Sequence, residues 1–132
     1  MDKVLSFLGM SKRAGALVTG EDGALGAVRS GEARLLLLAS DTAGNTSKKA
    51  EFCAESCGAV MVRLPYDKDS LGEMLGRRVC AIMAVTDKNF AKSFMEKLAA
   101  ERPEYQPALD QLSELISSRK ERRQKLQKAK NA

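Results

Sequence analysis

The stretch VTGEDGALGAVRSGEARLLLLASD, residues 18–41, decides how this chain folds. Glycine recurs at every third position (Gly20, Gly23, Gly26), and the chain then runs into four consecutive leucines, Leu35 to Leu38. Thr19 offers an N-cap, with Asp22 three residues on in the manner of a capping box. The helix it predicts turns Ala24, Leu25 and Val28 inward and ends at Gly31. RLLLLAS is an apolar run bounded by turn chemistry, the pattern of a strand buried on both faces.

The glycine series invites a comparison with nucleotide cradles, and it fails both. The dinucleotide fingerprint needs G-x-G-x-x-G, whereas the spacing here is G-x-x-G-x-x-G. Asp41 stands at a tempting distance as the ribose acid, but one acid near a glycine series is weak support. No lysine follows these glycines as the phosphate loop G-x-x-x-x-G-K-[ST] requires. Glu21 and Asp22 also put negative charge where a phosphate would bind. Gly23 and Gly26 inside a helix each cost about 1 kcal/mol relative to alanine. Either a packing neighbour or a ligand backbone must offset that cost, and the spacing alone does not choose between them.

Outward from this stretch, Val4, Leu5 and Leu8 recur at helical spacing before Gly15, predicting a helix over residues 2–14. ALV (16–18) is a short extended segment. SDTAGNT reads as loop, and residues 47–57 as a helix closed by Gly58. AVMVRLP is the next strand, Ser70 caps a short helix LGEMLG, and CAIMAVTD is another buried strand. Phe90, Phe94 and Leu98, spaced by four, mark the core face of a further helix. Pro103 and Pro107 interrupt the chain, after which Leu109, Leu112, Leu115 and Ile116 form an apolar stripe. Strands alternating with helices over short connections predict an α/β fold. Its expected form is a three-layer α/β/α sandwich around a mixed four-stranded sheet, with an extra C-terminal basic helix.

Composition narrows the chemistry. The 132 residues contain no histidine, which removes histidine-based acid–base catalysis and most catalytic zinc sites. Cys53, Cys57 and Cys80 form no C-x-x-C pair and read as reduced, mostly buried thiols of an intracellular protein. No apolar run approaches the ~20 residues that span a bilayer, and the N-terminal segment is too short and polar for a signal peptide. The expected location is cytoplasmic. Residues 117–132 hold seven Lys/Arg against Glu121 alone, so subtracting that +6 from the chain's +5 leaves residues 1–116 at −1. A basic extension on a near-neutral body is an electrostatic handle for a polyanion, and nucleic acid is the commonest one in the cytoplasm. With four Phe, two Tyr and no Trp, an interleaved aromatic platform for single strands is not expected.

Three segments carry a resemblance to a known family. LGMSKRAGALVTGEDGALGAVRSGEARLLLLASDTAGNTSKK, then LGEMLGRRV, then AVTDKNFAKSF resemble, in that order, the large-subunit ribosomal protein family L-seven-Ae/L-thirty-e and particularly its bacterial YlxQ-like branch. The resemblance covers residues 1 to about 98. It implies an α/β/α sandwich that binds structured RNA, in the better-known members a kink-turn, as part of ribosomes or related particles. By position it places one RNA surface at Gly20, Glu21, Asp22, Gly23 and Gly26, with Lys12 and Arg13 just before it. A second surface falls at Gly76, Arg77, Arg78 and Val79. Kink-turn binders commonly carry an amide-bearing residue, an acid and a lysine where this chain has Asp22, Gly23 and Gly26. That departure implies weaker or different RNA specificity.

The resulting expectation is a non-catalytic protein that binds structured RNA, rRNA first, in the company of other ribosomal proteins. A ribosomal-protein-like domain over residues 1–100 and a helical basic extension over 101–132 are its expected parts. No cofactor, metal, DNA or membrane partner is expected. The alternative is a protein-interaction module that keeps the fold and has lost RNA recognition. Catalysis comes third, because polar candidates such as Asp41 with Lys48 or Lys49 form no spacing that implies a reaction.

Overall fold

The computed structural model describes residues 2–117. The basic run that fills residues 118–132, and the helix expected to carry it, lie outside the described residues. Elements follow in the order α1 (Lys3–Arg13), β1 (Leu17–Thr19), α2 (Glu21–Arg29), β2 (Leu35–Leu38), α3 (Gly44–Cys57), β3 (Val60–Arg63), α4 (Lys68–Met74), β4 (Ile82–Val85) and α5 (Lys88–Glu101). A 3-10 turn over Pro103–Tyr105 and a helical run over 106–117 complete the chain. Pro107 sits in the first turn of that run, where a missing N–H costs nothing.

The four strands make one mixed sheet in the order β1-β4-β2-β3. β2 and β3 run parallel, while β4 is antiparallel to both of its neighbours. All four leucines of β2 are fully buried, because successive side chains of a strand face opposite layers. Leu35 and Leu37 join Met83 and Val85 on the face covered by α1, α4 and α5. Leu36 and Leu38 join Ile82 and Ala84 on the face covered by α2 and α3. Burial of each leucine stabilises the fold by about 1.5–3 kcal/mol, and together they account for the three-layer α/β/α architecture.

The two layers are built differently. The α1/α4/α5 side is bulky, with Leu8, Phe94, Met95 and Leu98 in its centre. Phe90, half-buried, packs on Phe7 with ring centroids 5.7 Å apart. The α2/α3 side uses Ala24, Ala27, Ala33, Ala50 and Ala54, so those helices lie close against the sheet. Leu112 is fully buried in the bulky layer, with Leu109, Leu115 and Ile116 against it.

Local capping departs from the sequence expectation in three places. Thr19 is the last residue of β1, and Gly20 is the N-cap of α2 without any side-chain cap. Its φ of 94° and ψ of 156° suit only glycine, and they let the chain leave the strand and enter the helix in one residue. Asp67, not Ser70, caps α4; its Oδ1 accepts from the Ser70 amide at 2.7 Å, which starts the helix earlier than LGEMLG suggests. α3 begins at Gly44, inside the segment expected to be loop. β2, β3 and β4 are also shorter than the apolar runs that announce them, at four residues each, and β1 is shifted by one residue from ALV.

Leu112→Ala is expected to cost about 2–5 kcal/mol, as for other fully buried leucines, and to lower the urea midpoint accordingly. A loss below about 0.5 kcal/mol would separate residues 103–117 from the cooperative unit.

Candidate nucleic-acid interface

The sheet register builds the candidate site. Thr19 pairs with Met83 across the β1–β4 ladder, and the Gly20 amide donates to the Ile82 carbonyl at 3.0 Å. The start of α2 is thereby fixed beside the segment that leads into β4, residues 76–79. Arg77 closes the junction: its Nη1 donates to Thr19 Oγ1 at 2.6 Å. A methyl built on Gly20 would lie 3.6 Å from Nη1 and 3.9 Å from Nη2, so the guanidinium rests over the glycine.

The 76–79 loop is held from below by α4. The Arg77 amide donates to the Gly72 carbonyl at 2.8 Å. A methyl at Gly72 would meet Val79 Cα at 2.7 Å and the carbonyls of Arg77 and Arg78 at 2.9 Å. Gly72 therefore admits the loop backbone at van der Waals contact, a role that no local sequence pattern signals. Gly76, with φ 71°, turns the chain out of α4. Lys12 Nζ donates to the Leu75 carbonyl, tying the end of α1 to the same corner. Gly9, Lys12, Arg13, Met74, Leu75 and Gly76 line an open cleft there.

The glycines of α2 separate into two kinds. A methyl at Gly23 would stand 2.8 Å from Val18 Cγ1, so this glycine exists for helix-to-strand packing. Gly26 is exposed and nothing lies within 4 Å of where its methyl would be. Glu21 turns toward α3, where Lys49 Nζ lies 3.6 Å from its Oε1. That oxygen is buried and accepts no hydrogen bond, so the ion pair is its main compensation. Asp22 is exposed. Both acids favour the helix N-terminus by up to about 1 kcal/mol.

Of the residues singled out from sequence, Gly20 and Arg77 touch directly, and Lys12 reaches the same corner through the Leu75 carbonyl beside Gly76. Arg13, Arg78 and Val79 are exposed beside them, Val79 at 44%. Gly72 is the neighbour that sequence reasoning missed, while the sequence reads Thr19 as a cap and Lys49 only as a polar candidate beside Asp41. Burial holds two of the thiols, Cys53 and Cys80, toward the protonated form. Burial pushes the Cys80 thiol up, against the opposing pull of Arg77 and others. Cys53 is also raised, by burial first and then by Cys57. No described helix is long and apolar enough to cross a membrane.

Residues 2–95 match the ribosomal protein L7Ae/L30e/S12e/Gadd45 family, and the chain belongs to it. It is 34% identical over 95 residues to the RNA-binding protein YlxQ of Bacillus subtilis (strain 168), covering 69% of this chain and 90% of that protein. To the RNA-binding protein YlxQ of Enterococcus faecium it is 27% identical over 94 residues, covering 71% and 89%. Among solved structures, a protein with unknown function from Bacillus halodurans C superposes with a TM-score of 0.68 at 29% identity. That match covers 74% of this chain and 97% of the other.

The two α2 glycines should respond oppositely to alanine. Gly26→Ala is expected to stabilise the protein by up to about 1 kcal/mol through helix propensity. Gly23→Ala is expected to destabilise it by about 1–3 kcal/mol through overpacking against Val18. Urea midpoints measure both, and equal shifts would refute the packing role of Gly23.

Proposed function

We propose that this protein binds structured RNA, without catalysis, through the surface formed by the α2 N-terminus and the 76–79 loop. Family membership and the RNA-binding names of its relatives support the RNA reading. The observation that carries the site is the Arg77 guanidinium resting on Thr19 and Gly20. A planar cation held over a side-chain-free turn offers a phosphate two parallel donors. It stands beside backbone amides that also face an anion. Arg78, Lys12 and Arg13 supply further positive charge around it, and exposed Val79 offers an apolar contact to an unstacked base.

The RNA is rRNA, and the protein works in the cytoplasm on the ribosome or its assembling subunits, alongside ribosomal proteins. Its preference for a kink-turn is looser than that of members with a lysine on the second turn of α2. Asp22 cannot donate as an amide does, and Gly26 presents no cation. The domain that recognises RNA spans residues 1–100, and residues 101–132 add a packed segment followed by nonspecific basic charge.

Electrophoretic shifts with folded rRNA fragments test this reading, using the full chain and a version ending at residue 117. Both should bind, the full chain more tightly and with a steeper loss of affinity against salt. Binding by neither would leave the fold as a protein-interaction module, and binding by the full chain alone would silence the α2 surface. Arg77→Ala should weaken binding about tenfold and reduce the salt slope by about one.

Gly26→Lys provides the converse test. With open space at that position, the variant should fold normally, tighten binding several-fold and add about one to the salt slope. Unchanged affinity would place the RNA backbone away from the second turn of α2.

A further inference from the structure

α3 carries a surface that the fold does not use. Ala50, Cys53 and Ala54 turn into the core, yet Phe52, one position away, is 73% exposed. At about 100° per residue, Lys48, Phe52, Asn45, Ser56 and Lys49 follow one another around an arc of about 100°. All five are exposed. Phe52 lies between the two lysines, and the acids Glu51 and Glu55 fall on the flank beyond Lys48. Lys49 joins this arc to the candidate site through its contact with Glu21 on the first turn of α2.

We propose that Phe52 stacks on an unpaired base of the bound RNA while Lys48 and Lys49 contact the phosphates on either side. The interface then runs from the α2 N-terminus across α3. This inference rests on the RNA-binding reading above and extends it to a second helix. A lone exposed apolar side chain is ordinary on a protein surface. Phe52 is set apart by the cations on both sides of it and by the continuity of its arc with α2. An aromatic face between two cations suits a nucleotide, whose base stacks and whose phosphates pair. A protein partner would call for a contiguous apolar patch. The immediate neighbours of Phe52 on the arc are instead lysine, asparagine and serine.

The chain contains no tryptophan, so Phe52→Trp creates a single reporter at the proposed contact. The probes are an unlabelled rRNA hairpin with an unpaired internal loop and the same hairpin fully paired. At saturating hairpin concentration the looped hairpin should quench the indole emission of F52W at high and low salt alike, and the paired one should leave it largely unchanged. Phe52→Ala should weaken binding of the looped hairpin about 5- to 100-fold with the salt slope unaltered. Lys48→Ala should instead reduce the slope by about one.

Circular dichroism and the urea midpoint of F52A should match the wild type, given the exposure of the ring. Binding by the wild type with no quench in F52W and no loss in F52A overturns this inference and leaves the parent reading standing. A wild-type chain that binds neither hairpin, while Arg77→Ala changes nothing, overturns both. Unaltered RNA affinity in F52A together with a smaller sedimentation coefficient than wild type would make α3 a protein contact, which also overturns it.

Discussion

The antiparallel pairing of β1 with β4 is the constraint on which the rest depends. β4 occupies an interior position in the sheet, with β1 on one side and β2 on the other. Its register against β1 sets Thr19 opposite Met83, so the segment entering β4 must pass beside the residue that leaves β1. Residue 77 reaches residue 19 for that reason, although 58 positions separate them. A one-residue slip of β4 would also turn Met83 and Val85 out of the bulky layer. The hydrophobic core that stabilises the protein thus brings Arg77 beside Thr19, and the contacts with Gly72 and Thr19 then hold it there.

The small-residue layer has a consequence at the same end of the sheet. Alanines beneath α2 and α3 bring those helices near the strands and near each other. Gly23 completes that approach at Val18, and Lys49 then comes within 3.6 Å of Glu21. The ion pair is partly exposed, with the lysine side chain 65% accessible and the glutamate 37%, so its direct contribution to stability is small. Its larger effect is electrostatic. Glu21 partly cancels Lys49, and an anion approaching α2 meets one uncompensated first-turn carboxylate, that of Asp22.

Much of the fold was legible because it rests on local periodicity. The run of Leu35 to Leu38 announces a strand buried on both faces, and the spacing of Phe90, Phe94 and Leu98 announces the inward face of α5. Capping was less legible. Thr19 and Ser70 look like caps, but a strand ladder claims the first and Asp67 claims the second. Gly23 and Gly26 are indistinguishable as letters in a helix, and only the position of Val18 tells the packing glycine from the open one. Arg77 was placed by family resemblance, whereas its contact with Thr19 needs the β1–β4 register. The exposure of Phe52 was not legible, because the letters do not show which face of α3 the sheet covers. Its place between Lys48 and Lys49 on the helical wheel was the available signal.

Net charge is a poor guide to how this body meets a polyanion. Residues 1–116 sum to −1, which would predict indifference to RNA. At physiological salt, however, charges farther apart than about 8 Å are largely screened, and the local arrangement decides. Arg77 and Arg78, with Lys12 and Arg13 nearby, gather at one end of the sheet. An arginine already held by Thr19 also has less side-chain freedom to lose when it takes up a phosphate, which lowers the entropic cost of binding. On the proposed surface, affinity would therefore follow from how firmly Gly72 and Thr19 hold the 77–79 segment as much as from how many cations surround it. A chain with the same charges but a loose loop would bind through its basic residues with less discrimination between RNA shapes.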